Sequence, residues 1–104
     1  MNVKEVVALF EVGLDLREGK KFYDEKEKGV GGYFWDSLIA DIESLLIYGG
    51  IHNKHSGFFR MFAKRFPYAI YYDVQDDTVI VVAVLPMRRD PAWIEGKLSG
   101  RTSD

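Results

Sequence analysis

The sequence contains no cysteine. A disulfide framework and a thiolate zinc site are therefore excluded, and the composition agrees with a reducing compartment. Histidine is scarce, with 2 residues, His52 and His55, inside the polar stretch Gly49 to Gly57. No Asp, Glu or Cys near them offers a third ligand, so an exposed loop is expected there and a metal site is not. Lys54 or His55 could at most touch a phosphate. No glycine-rich loop leads into a helix with a phosphate-binding Lys, so no nucleotide cofactor is expected either. No apolar run approaches the ~20 residues of a membrane span, and no charged-then-apolar segment reads as a signal peptide. A cytoplasmic protein away from the membrane is the expectation. A strong excess of positive charge is also missing. The net charge is −2, with 6 Lys/Arg against 10 Asp/Glu in residues 1–50 and 8 against 6 in residues 51–104. Proteins that grip nucleic acid unaided are usually strongly basic, so only weak or indirect nucleic-acid contact is expected.

What is present is enough for one core. A chain of 104 residues that is 47% hydrophobic can bury a core without staples. Residues 1–98 read as a single domain, and the polar stretch 99–104 reads as a disordered tail.

The stretch from Phe58 to Asp90 organises the rest. Phe66-Pro67 and Gln75-Asp76-Asp77 are turn signals, and between and after them Ala69–Val74 and Val79–Leu85 are rich in Ile, Val and Tyr. The expectation is a three-stranded antiparallel meander. Val79 to Leu85 is apolar without a break, so both faces of that strand should be covered. Pro86 should stop it. Asp90-Pro91 then reads as the N-cap and first position of a short helix that turns Trp93, Ile94 and Leu98 inward.

The first half supplies the cover. Val6 to Phe10 is a short apolar run suited to a first strand. Val12, Leu16, Gly19 and Phe22-Tyr23 then recur at helical spacing, giving a helix from Val12 to Lys28. Gly29-Val30-Gly31-Gly32 should end it in a tight reversal. A second helix from Tyr33 to Ile47 carries a broad stripe of Phe34, Leu38, Ile42 and Leu45, widened by Trp35, Ile39 and Leu46. The two predict an αα-hairpin on one sheet face. The expected class is α+β: a short strand, a helical hairpin, a three-stranded antiparallel meander and a short C-terminal helix.

The runs Arg65-Phe66-Pro67-Tyr68, Ile70-Tyr71-Tyr72, Val84-Leu85 and Arg88-Arg89-Asp90-Pro91 resemble the C-terminal half of toxins of the ParE/RelE superfamily, and of its ParE branch in particular. Pro86 stands where that branch often has His. The resemblance implies the toxin of a bacterial type II toxin–antitoxin, or plasmid stabilisation, system. It implies a cognate antitoxin as partner, with a homodimer or a heterotetramer with the antitoxin both open. In the ParE branch the target is DNA gyrase, inhibited by binding. In the RelE branch the activity is metal-independent, ribosome-dependent mRNA cleavage. A non-toxic remnant that only binds antitoxin is a third possibility. Against the nuclease pattern, Ala69 stands where an Arg is usual and Pro86-Met87 where a His/Tyr pair is usual, so no catalytic residue is assigned. The candidates for target contact are Arg88, Arg89, Arg60, Lys64 and Arg65. The candidates for antitoxin contact are Phe58, Phe62, Tyr71 and Trp93, because aromatics crowd this half beyond what one small core needs.

Overall fold

The computed structural model describes residues 2–102. Strand β1 (Glu5–Ala8) leads into helix α1 (Phe10–Lys26), helix α2 (Val30–Glu43) and the one-turn helix α3 (Leu45–Tyr48). Then come strands β2 (Lys54–His55), β3 (Phe58–Phe62), β4 (Tyr68–Gln75) and β5 (Thr78–Pro86), and helix α4 (Pro91–Ser99). The strands form one sheet in the order β1-β5-β4-β3-β2. Neighbours β2 to β5 are antiparallel, and β1 lies parallel to β5.

The unbroken apolar run of β5 sits inside the sheet, between β1 and β4, with both faces covered, while the central strand is β4. Its register against β4 slips between Tyr71 and Tyr72, which face Ala83 and Val81 respectively, so Val82 is the extra residue of a bulge. The slip re-phases the side chains. Val79, Val81 and Val84 join Tyr68, Ile70 and Tyr72 in a core with Val12, Leu16, Phe34, Leu38 and Leu45 of the helices. Val82, Ala83 and Leu85 face the other way with Ala69, Tyr71 and Leu98, flanked by Phe58, Trp93 and Ile94. The helical hairpin thus covers one face and α4 the other.

The glycine run differs from expectation. Gly29 alone makes the reversal, with φ of 94°, while Gly31 and Gly32 lie within α2. Gly31 is there for close approach: a Cβ on it would fall 2.3 Å from the Lys20 carbonyl oxygen. Asp24 accepts the Gly31 N–H at 2.8 Å and pairs with Lys20 at 3.0 Å, tying the start of α2 to the end of α1. Gly19 works likewise, since a Cβ there would meet the Phe34 ring at 2.4 Å. The second helix does not run unbroken to Ile47. It is interrupted at Ser44, whose hydroxyl donates to the Asp41 carbonyl at 2.6 Å and so competes with the regular ladder.

The stretch from Gly49 to Gly57 is not all loop. Lys54 and His55 pair with Phe59 and Phe58 across a two-residue turn. Ser56 and Gly57 both take positive φ there, 57° and 86°, the combination that matches the twist of a hairpin. Pro86 closes β5 from within, opposite Tyr68. Asp90 caps α4 as expected, accepting the Trp93 N–H at 2.9 Å with Pro91 at the helix start. The expected tail begins later than residue 99. Ser99 is the last residue of α4, and the Arg101 side chain is held by Asp15 at 2.5 and 2.9 Å. Residues 103 and 104 of that tail lie outside the described residues.

Candidate functional site

The cationic candidates gather at one end of the sheet. Arg88 and Arg89 are exposed on the turn after β5, and Lys64 and Arg65 are exposed on the turn between β3 and β4. The two turns touch, since the Met87 N–H donates to the Pro67 carbonyl at 2.8 Å. Arg60 lies apart, mid-strand on β3, with its guanidinium 4.9 Å from the Phe62 ring centroid. The opposite end of the sheet carries Asp76 and Asp77, with Asp77 3.8 Å from Lys4. The sheet is therefore polarised along its strands, basic where β5 ends and acidic where it begins.

The aromatic candidates divide. Phe62 is 53% exposed, while Tyr71 is 2% exposed and belongs to the α4-side core. Tyr71 is thus a packing residue and not part of a partner surface. Strand alternation explains it: successive residues of β4 face opposite sides, so Tyr71 and Tyr72 are each buried in a different core. Phe58 and Trp93 are half-buried against the same core as Tyr71. The Trp93 ring is further occupied by Arg89, 4.0 Å from its centroid. Sequence reading missed the exposed apolar residues after α2: Ile47 is 74% exposed and Ile51 71%. The available signal was the run Leu45-Leu46-Ile47-Tyr48, because a single helical turn cannot bury four successive side chains.

Two clefts flank these groups. One, of about 330 Å³, opens between α1, the turn bearing Arg88 and Arg89, and α4. Its floor is the bulged part of β5. There the Val84 N–H, beyond the end of β1, donates to Asp15 at 2.9 Å, and Arg101 donates to the Val82 carbonyl at 3.1 Å. The Asp15–Arg101 pair thus satisfies backbone groups that the ladder leaves open. Its hydrogen bonds to Asp15 push the Arg101 pKa upward against the opposing effect of burial. Tyr23, beside this cleft, has its pKa raised by burial, with Arg88 pulling the other way.

The second cleft, of about 290 Å³, is lined by Ile51, His52, Lys54, Arg60 and Phe62. The Gly50 N–H donates to the Tyr72 hydroxyl at 2.9 Å, and that hydroxyl lies 2.5 Å from His52 Nδ1. Burial lowers the His52 pKa. A neutral imidazole accepting the Tyr72 proton fits both observations. Among the described residues, no three His, Cys, Asp or Glu side chains come together to hold a metal. None of the described helices is long and apolar enough to cross a membrane.

These features define an α+β protein whose helical hairpin covers a sheet with its cations at one end. No family model matches the sequence, and no curated protein matches it. Among solved structures, a chain described as "Chromosomal ParDE TA system from P. aeruginosa" shares the fold, with a TM-score of 0.74 over 85% of this chain and 100% of that one. Sequence identity is 9%, so the likeness is one of fold. The protein has the ParE/RelE-type fold.

Proposed function

We propose that this chain is the toxin of a type II toxin–antitoxin pair, of the ParE-like branch, acting in the cytoplasm by binding DNA gyrase and neutralised by a cognate antitoxin. The observation that carries this reading is the fold shared over 85% of the chain with a structure titled as a toxin–antitoxin system. The sequence block around Arg65 to Tyr72 and Arg88 to Pro91 points the same way. The cationic sheet end formed by Arg88, Arg89, Lys64 and Arg65 is the surface for the target. Exposed Phe62 and Ile51 offer an apolar surface to the antitoxin.

Binding is favoured over mRNA cleavage by the site itself. An acid–base ribonuclease needs a proton donor and an acceptor within ~3 Å of its scissile phosphate. Ala69 is 1% exposed and sits in the core where an Arg is usual in the nuclease pattern. Pro86 ends the strand where a His is usual. The test is expression with and without the neighbouring small reading frame. Growth should arrest only when the chain is expressed alone. Replacing both Arg88 and Arg89 with Ala should abolish arrest while leaving the thermal melt nearly unchanged. Purified protein should lower plasmid supercoiling by gyrase. Codon-aligned transcript cleavage with normal supercoiling would instead assign the ribonuclease activity.

A further inference from the structure

The cleft between α1 and α4 has a feature that target binding does not use. Its volume of about 330 Å³ is at the small end of the ~300–1,000 Å³ range of ligand sites. Tyr68 forms its inner wall and is 7% exposed. The Tyr68 ring packs edge-on against Phe34, with centroids 4.8 Å apart. Its hydroxyl makes no hydrogen bond to the described residues and lies on the cleft wall, where it is not sealed from solvent. Gly19 lies beside that oxygen: a Cβ on it would come within 3.2 Å of the hydroxyl and within 2.4 Å of the Phe34 ring that fills the space. Burial first, then Tyr23, Glu18 and Asp15, pushes the Tyr68 pKa up to about 12. The hydroxyl therefore remains a donor at every physiological pH.

Charge narrows the class of ligand. Arg88, Arg89 and Lys97 line the cleft together with Asp15 and Glu18, three cations against two carboxylates, or +1. Asp15 is further neutralised by Arg101. The lining is net positive and so complementary to an anionic ligand. Phe22 and Pro67 supply apolar wall beside the Tyr68 hydroxyl. We propose that the cleft binds a small aryl carboxylate, with its ring against Phe22 and Pro67, a hydrogen-bond acceptor on the Tyr68 hydroxyl and its carboxylate at Arg88 and Arg89. Arg suits this task because its planar fork matches a carboxylate with two parallel hydrogen bonds.

The inference is independent of the toxin reading, and its readout is binding, so either can fail alone. The probes are 4-hydroxyphenylacetate, its uncharged amide and phenylacetate, titrated into the full chain while amide NMR shifts are followed. The hydroxy acid should shift Gly19, Tyr68 and Arg88 saturably. Loss of the acceptor should weaken binding about fivefold, as for one hydrogen bond, and loss of the charge at least about tenfold, as for a charge-assisted one. Tyr68→Phe should erase the difference between the hydroxy acid and phenylacetate, and Glu18→Gln should tighten both acids. Absence of saturable shifts at these amides overturns the proposal. So does unchanged affinity in both Tyr68→Phe and the Arg88→Ala/Arg89→Ala double variant. If Tyr68→Phe disturbs the fold, the Glu18→Gln result decides.

Discussion

The two faces of the sheet are held by different physics. On the hairpin side, Phe34, Leu38, Leu45 and Tyr72 are all fully buried. Gly19 and Gly31 let α1 and α2 close tightly over them. On the α4 side, a nine-residue helix buries Leu98 and half-buries Trp93 and Ile94. What fastens that helix is largely polar: the Asp90 cap, Arg89 over Trp93, a Ser56–Glu95 hydrogen bond, and Arg101 on Asp15. Apolar area can hold an element without any one contact mattering much. Of these ties only Asp15–Arg101 is buried, so it is the one whose loss leaves a group with its full desolvation cost, while the exposed ties are each worth little.

Three measurements would break or sharpen this contrast. The largest effect should come from Phe34→Ala, which empties the middle of the hairpin-side core and should cost about 3–5 kcal/mol by urea unfolding. Next is Arg101→Ala. It leaves Asp15 unpaired in a site where the two side chains are 6% and 9% exposed. A loss of about 3 kcal/mol is expected, near the lower end for a broken buried pair. Hydrogen exchange should show the loss concentrated in α4 and β5 amides, with α2 protected as before. Uniform exchange across both faces would mean that α4 is not separately fastened.

The smallest effect concerns pH and lies on the hairpin side. Burial lowers the His52 pKa from 6.5, so below that value the unfolded chain binds the proton more readily. The stability that neutral His52 contributes is whole above pH 6.5 and is lost as pH falls from 6.5 toward the folded value. Replacing His52 with Phe should flatten the stability profile in that window, with a slope change no larger than one proton. A profile identical to the parent would show that the Tyr72–His52 contact bears no proton linkage.

Legibility followed the same division. The helices, the covered strand β5 and the Asp90-Pro91 cap were readable because each is a local pattern: a stripe at helical spacing, an unbroken apolar run, a capping pair. The bulge at Val82 was not, since Val79 to Leu85 is apolar at every position and no change of phase can be seen in such a run. Without the bulge, the placing of Val82 and Ala83 on one face and Val84 on the other could not be anticipated. Arg101 lies in a Ser, Gly and Thr context that has the composition of a tail, and its partner is 86 residues away. Two-residue β2 is too short to carry any periodicity. Of the candidate site, the cationic turns were visible as sequence clusters. The Tyr68 hydroxyl was not, because the cleft it lines is formed by tertiary packing of α1, β5 and α4.

The parallel pairing of β1 with β5 has a consequence for how the chain is made. Glu5 lies opposite Thr78, 73 residues further on. At synthesis rates of ~5–20 residues per second, β1 waits roughly 4–15 s for its neighbour to be translated. Until β5 is made, the apolar stripes of α1 and α2 lack Val79, Val81 and Val84 of their core. The strand that precedes the helices is thus among the last to find its place, because its one neighbour in the sheet is the last strand made.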